Sequence, residues 1–177
     1  MRVLIVNASA HGSTAEVARV IADIWRGRGI ETDVAAVGAA PSLAGYDAYA
    51  LGSAIHNGLW LPDMATFVRR SHQQLAKKPV YLWLTCLRLL EPEGYAYVTN
   101  NYLPNILDRK LSFRKIGVFA GKIDIAAINE DEVWTLTFRY DGRKTLAGLA
   151  GDYRDWAKIR DWAEQVAADI ETFRNRR

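Results

Sequence analysis

Short apolar runs alternate along this chain with amphipathic stretches that have helical spacing. Residues 3–6 are continuously apolar and mostly β-branched, which is typical of a strand buried on both faces of a parallel sheet. Residues 15–26 place Val17, Ile21 and Ile24 on one helical face. The same alternation predicts strands at 32–37, 46–51, 79–84 and 115–120, and helices at 63–75 and 153–173. Because parallel strands need crossover connections, the pattern predicts an α/β fold, a doubly wound five-stranded parallel sheet with helices on both faces.

Length and composition indicate one ordered domain over residues 1–177. Half of the 177 residues are apolar and 24% are charged, which excludes wholesale disorder, and no linker or repeat divides the chain. A single cysteine, Cys86, excludes an intrachain disulfide and a cysteine-based zinc site, so we predict no metal. The apolar start breaks at Asn7 and resembles no signal peptide. We therefore expect a cytoplasmic protein, at most peripheral to the inner face of a membrane.

Ligands of doubly wound sheets bind beyond the carboxyl ends of the strands. The loops that follow strands one, three and four are therefore the candidates for ligand binding. The first loop, residues 7–14, contains three hydroxyl side chains and Gly12 ahead of a helix: Ser9, Ser13 and Thr14. Free amides of a first helical turn, with nearby hydroxyls, favour an oxyanion such as phosphate. The alternative is simple N-capping by Ser13 or Ser9.

Other nucleotide-binding loops do not fit these residues. A Walker A loop would require a lysine, and a dinucleotide fingerprint would require three glycines and an acidic residue closing the second strand. A phosphoacceptor receiver would require an Asp at the end of the third strand, which instead ends Leu51-Gly52-Ser53.

The second loop, residues 52–61, combines two glycines with aromatic side chains. Gly52 and Gly58 would admit a flat ligand close to the backbone, and Trp60 or His56 could stack on it. Alternatively, Trp60 is a core residue, and His56, like His11, faces solvent.

Two stretches have no clear place in this scheme. Residues 87–114 predict a helix before the fifth strand. Residues 121–152 fit a β-hairpin turning at Asp141-Gly142, or a helix with Trp134 and Phe138 on one face.

Together, the loop at 8–14, the segment 51–55 with Gly58 and Trp60, and residues 151–156 resemble the flavodoxin-domain proteins, and most of all their branch of menaquinone-dependent protoporphyrinogen dehydrogenases. The resemblance extends from residue 3 to about residue 170. It implies a flavodoxin-like sheet of order 2-1-3-4-5 with an insertion around 121–152, binding one FMN. The FMN phosphate would be held by Ser9, His11, Gly12, Ser13 and Thr14. The flavin ring would be flanked by Ser53, Ala54, Ile55, His56, Asn57, Gly58 and Trp60, and by Thr85, Cys86, Leu87 and Arg88.

The third loop departs from the family pattern, because residues 85–90 are bulky where relatives have small residues. Cys86 has no evident histidine partner, so it fits a small packing residue better than a nucleophile, and no catalytic residue is assigned. Arg88 is either a stabiliser of reduced, anionic flavin or a solvated surface residue.

The resemblance implies an FMN-dependent oxidoreductase that passes reducing equivalents from a small organic substrate, such as a porphyrinogen, to a quinone. The alternatives are a one-electron carrier, and a flavodoxin fold without FMN that acts as a binding module. Carriers of this fold are usually acidic, whereas this chain has a net charge of +3, which is too small to indicate nucleic acid. Basic pairs such as Arg69-Arg70 and Lys77-Lys78 suit an anionic substrate or membrane surface. The sequence leaves open whether the protein forms a homodimer.

Overall fold

A computed structural model describes residues 1–106, 111–128, 130, 133, 136 and 146–175. The strands of the main sheet are β1 (Arg2–Ala8), β2 (Glu31–Ala36), β3 (Ala48–His56), β4 (Leu59–Trp60), β5 (Val80–Thr85) and β6 (Phe113–Phe119). Five of them are parallel, in the order β2-β1-β3-β5-β6, and the short strand β4 pairs antiparallel with β3. The longer helices are α1 (Ser13–Gly27), α2 (Pro62–Leu75) and α6 (Trp156–Asn175). The five parallel strands have the predicted order, so the predicted fold is confirmed. The short strand β4 is an addition that pairs with β3.

The two faces of the sheet build two apolar cores. One face packs α1 and α6 against alternate residues of β1 and β5, including Val3, Ile5 and Trp83. The other face packs α2 against the intervening residues, including Leu4 and Val6. Both sets of β1 residues are buried, because helices cover both faces of a doubly wound sheet. This explains why the opening strand is continuously apolar.

Residues 87–106 are largely helical, as predicted. A 3₁₀ turn at Leu87–Leu90 is followed by α3 (Gly94–Tyr97), a π-helical segment at Val98–Tyr102 and α4 (Leu103–Ile106).

Within residues 121–152 the structure describes β7 (Lys122–Ile123), which pairs antiparallel with β8 (Gly151–Asp152), and α5 (Leu146–Leu149). Val133 and Leu136 are helical, which favours the helix over the hairpin at those two positions. Trp134, Phe138 and the predicted Asp141-Gly142 turn lie outside the described residues. A small core of Ile123, Leu136 and Leu149 belongs to this region.

Among all of the described positions, no helix combines the length and the apolar character needed to cross a bilayer.

Candidate functional site

The three loops singled out from the sequence meet at one edge of the sheet. In the strand register Ala8 lies opposite Ser53, and Ala54 lies opposite Thr85. The ends of β1, β3 and β5 are therefore level with one another, which brings the loops beyond them side by side.

The first loop leaves the amino end of α1 open. Gly12 is the N-cap residue, with φ of 85°, and none of the described side chains caps the helix. The first backbone bond of the helix runs from Glu16 N–H to Gly12 C=O at 3.0 Å. The amides that precede Glu16 therefore have no acceptor within the helix. N-capping by Ser13 or Ser9, the alternative raised by the sequence, is wrong, because neither side chain makes that bond.

Ser9 carries an unsatisfied hydroxyl in the first loop. Its Oγ atom is shielded from solvent and has no hydrogen-bond partner in the described structure. Buried hydroxyls without a partner are uncommon in native proteins, since each costs roughly 1–3 kcal/mol. An anion or hydroxyl-bearing ligand beside this loop would satisfy it.

A cleft of about 270 Å³ opens beside Ser9. Pockets that bury a whole drug-sized ligand usually measure about 300–1,000 Å³, so this cleft would enclose only part of a mononucleotide. It is lined by the first loop, the end of β2 and the start of α2: Asn7, Ala8, Ser9, Gly12, Ala15, Ala36, Val37, Gly38, Leu61 and Asp63. Asp63 brings one carboxylate to its margin, a feature that sequence reasoning had not noted.

The other side chains predicted to hold the phosphate differ in their exposure to solvent. His11 is exposed, Ser13 is half-buried, and Thr14 is fully buried. The Thr14 hydroxyl hydrogen-bonds the Thr85 hydroxyl at 2.6 Å. It thus ties the first loop to the end of β5 and faces the sheet instead of the cleft.

The second loop is a β-hairpin, which the sequence reading missed. β3 continues to His56, which pairs with Leu59, and the two-residue turn Asn57-Gly58 has φ values of 50° and 79°. Two successive positive φ values define a type I′ turn, which Asn-Gly favours strongly, so this dipeptide could have revealed the hairpin. Ser53 braces its base, because the Ser53 Oγ accepts a hydrogen bond from the Leu61 amide at 3.2 Å.

The glycines of the second loop make room for aromatic side chains of the protein. A Cβ atom on Gly52 would lie 1.9 Å from the Trp83 indole, and one on Gly58 would lie 2.9 Å from the Tyr102 ring. Trp60 is 7% exposed and packs in the core against Phe113. The space predicted for a flat ligand at Gly52 and Gly58 is thus occupied, and the core alternative for Trp60 is confirmed. Ala54 and Ile55 are half-buried, and His56 and Asn57 are exposed.

The bulky third loop packs away from the cleft. Leu87 and Leu90 lie against the small core of Ile123, Leu136 and Leu149. Cys86 is 5% exposed. The large residues therefore anchor the region after β6 and do not fill the cleft beside Ser9.

Arg88 has partners within the protein. Its guanidinium pairs with Glu91 and stacks 3.9 Å from the centroid of the Tyr97 ring, with only 21% of the side chain exposed. The solvated-surface alternative is therefore wrong, and the role of Arg88 towards reduced flavin stays a prediction.

Comparison with known proteins agrees with this geometry. The family model described as "Flavodoxin domain" matches residues 4–132. The chain belongs to the flavodoxin domain family. It is 24% identical over 172 residues to protoporphyrinogen IX dehydrogenase [quinone] of Escherichia coli K12, covering 94% of this chain and 95% of that protein.

Among solved structures, the chain resembles rubredoxin oxygen:oxidoreductase from the anaerobe Desulfovibrio gigas. The TM-score is 0.55 at 15% identity, over 97% of this chain and 36% of that one. The chain thus spans about a third of that protein's length, and the likeness concerns the fold alone.

Proposed function

We propose that this flavodoxin-domain protein binds FMN and is an oxidoreductase that transfers reducing equivalents from a small organic substrate to a quinone. The observation that carries the proposal is the buried, unpartnered Ser9 hydroxyl beside the uncapped first turn of α1. Both features are satisfied by one anionic group, and the phosphate of a mononucleotide is such a group.

The phosphate would be held chiefly by backbone amides at the start of α1, with the Ser9 and Ser13 hydroxyls as further donors. Gly12 contributes through its backbone: a Cβ there would meet no atom of the described residues within 4 Å, but its φ of 85° is one that other residues rarely adopt. Thr14 would act indirectly, through its bond to Thr85.

The flavin ring would lie towards the hairpin of residues 53–60 and the turn of residues 85–88. When bound, FMN supplies the acceptor and donor of reducing equivalents, while the protein sets binding, orientation and local charge. Three large apolar side chains around these loops are exposed, Leu59 by 54%, Tyr95 by 61% and Tyr97 by 40%. They offer an apolar surface to a porphyrinogen or quinone.

The preference for a quinone-linked enzyme over an electron carrier has two supports. The E. coli relative named for that activity aligns over nearly the whole length of both chains. The net charge of +3 also favours an anionic substrate over the basic partners that acidic carriers recognise. Two hydrogens would leave the organic donor for each quinone reduced to a quinol, so electrons and protons balance.

Ser9→Ala tests the phosphate site. Losing a hydrogen bond to a charged group costs about 1.5–3 kcal/mol, so FMN affinity should fall at least about tenfold. Riboflavin, which lacks the phosphate, should bind the wild-type protein and the Ser9→Ala variant with equal affinity. The matched control is Ser112→Ala at an exposed position just before β6, at the opposite edge of the sheet. Titration of flavin fluorescence measures all of the affinities, and equal FMN affinity of both variants would contradict the assignment.

Activity is tested by protoporphyrinogen oxidation, followed as porphyrin fluorescence with a quinone, NAD(P)⁺ or a redox protein as the acceptor. A quinone-dependent rate that requires bound FMN is the expected result. Electron exchange with protein acceptors only would instead identify a carrier, and failure to bind FMN would leave the binding-module alternative.

A further inference from the structure

Arg154 is a buried arginine between β8 and α6, and neither the sequence reading nor the proposed function gives it a role. Only 3% of its side chain is exposed. It follows the short β7–β8 ladder, in which Lys122 pairs with Asp152, and the neighbouring Tyr153 amide donates to Gly121 C=O at 3.1 Å. The backbone that carries Arg154 is therefore fixed on the region after β6.

One side of the guanidinium is held within its own segment. Nε and Nη2 of Arg154 donate to the two oxygens of Asp152 at 2.7 and 2.6 Å. The guanidinium carbon lies 4.5 Å from the centroid of the Trp156 ring. A bidentate carboxylate and an aromatic face together restrict the guanidinium to one orientation.

The other side of the guanidinium reaches the first turn of α1. Nη1 donates to the Ser13 C=O at 3.0 Å, and Nη2 lies 2.7 Å from Glu16 Oε2. Both contacts join residues about 140 positions apart in sequence, and they fall on the uncapped first turn of α1, which borders the cleft at Gly12 and Ala15. The guanidinium is therefore a bridge between the region after β6 and the anion site.

Glu16 gives this bridge an electrostatic role. A carboxylate in the first turn stabilises a helix, but it also opposes a second anion at the same helix end. Arg154 offsets that charge while it is itself shared with Asp152. The hydrogen bonds from Arg154 lower the pKa of the Asp152 carboxyl, so Asp152 stays ionised at neutral pH and keeps the guanidinium paired.

We propose that Arg154 is a positioning residue for the phosphate of the bound flavin. It holds the first turn of α1 in place through Ser13 C=O and offsets part of the Glu16 charge, so that the open amides can donate to a dianion. This inference rests on the proposed function, because it concerns the phosphate of FMN. It also assigns the β7–β8 ladder a part in cofactor retention, since that ladder carries the guanidinium.

The test replaces Arg154 with Gln and compares FMN with riboflavin. FMN affinity should fall roughly tenfold while riboflavin affinity changes less than about twofold, since only FMN carries the charge that Glu16 repels. Arg28→Gln is the matched control, because Arg28 also pairs with two carboxylates, those of Glu164 and Glu171, both at 2.7 Å, but lies beyond the opposite end of α1. That variant should leave both affinities unchanged.

A second substitution separates positioning from simple stabilisation. Arg154→Gln leaves both Asp152 and Glu16 without their cation. Adding Glu16→Gln removes the carboxylate in the first turn of α1 and should restore FMN affinity to within about threefold of wild type, the remaining loss being that of the bond to Ser13 C=O. Glu16→Gln alone, which keeps Arg154 and its bonds to Asp152 and Ser13, provides the same electrostatic test should the Arg154 variant not fold. It should bind FMN at least as tightly as wild type.

Equal losses for FMN and riboflavin, an absence of recovery in the double variant, or weaker FMN binding by Glu16→Gln alone would each overturn the role of Arg154. Failure of the wild-type protein to bind FMN would instead overturn the proposed function.

Discussion

Replacing Gly52 with alanine tests whether this glycine serves packing or ligand binding. Its sequence context suggested a close approach to a flat ligand, but an added Cβ would lie 1.9, 2.1 and 2.5 Å from three atoms of the Trp83 indole. Since ordinary carbon contacts begin near 3.5 Å, the ring would have to move by roughly 1.5 Å. Trp83 is fully buried, and its ring centroid lies 6.2 Å from that of Trp162, so the ring has little room.

The expected cost is about 3 kcal/mol, near the upper end of overpacking penalties. For a chain of this length, each kcal/mol corresponds to roughly 2–4 °C, so the melting temperature should fall by roughly 6–12 °C. Gly27→Ala is the control, because a Cβ at Gly27 meets nothing within 4 Å and the residue ends helix α1. That variant should be neutral or gain up to about 1 kcal/mol, because alanine favours helix more than glycine does.

Thermal and urea unfolding, both followed by circular dichroism, measure the two variants, and Trp83→Phe supplies a double-mutant cycle. If the clash is with the six-membered ring of the indole, Gly52→Ala should cost clearly less in the Trp83→Phe background than in wild type. A stable Gly52→Ala protein with selectively weakened flavin binding would refute the packing explanation and reinstate the ligand-approach interpretation.

Two further predictions concern stability. Hydrogen bonds from Arg114, at 2.5 and 2.7 Å, lower the pKa of the Asp169 carboxyl below its usual value, so the stabilisation is complete above about pH 4 and is lost as pH falls through that lowered pKa. Asp169→Asn should therefore cost about 1–2 kcal/mol at pH 7, and its unfolding curve should converge with that of wild type near pH 2. Gly58→Ala combines a φ of 79° with a Cβ 2.9 Å from the Tyr102 ring, whereas Gly45→Ala has a φ of 82° and open space. In the same urea assay, backbone strain alone should lower the free energy of unfolding of the Gly45 variant by about 1–2 kcal/mol. The Gly58 variant should lose more, because its Cβ also meets the Tyr102 ring. Equal losses for the two variants would mean that the Tyr102 ring moves aside without cost.

Local sequence patterns were sufficient for much of the fold and for singling out the candidate anion loop. The alternation of apolar runs and helical spacing predicted the parallel sheet, because each period reflects which faces one segment must bury. The loop of residues 7–14 could be recognised for a similar reason, since the amides and hydroxyls that would hold a phosphate are contiguous in the chain. The Asn57-Gly58 turn likewise depends on two adjacent residues, because Asn-Gly favours a type I′ turn. The hairpin could therefore have been predicted from the sequence.

Long-range contacts decided the remaining features of the site. Whether a glycine admits a ligand or a neighbouring side chain depends on what fills the space of its missing Cβ, and for Gly52 that is an indole 31 positions away. The Thr14 hydroxyl likewise faces Thr85, a partner on another strand. Arg154 meets Ser13 only because the β7–β8 ladder returns the chain to the start of α1. Sequence periodicity records which face of a segment is buried; which buried groups touch is set when the sheet and helices pack in three dimensions.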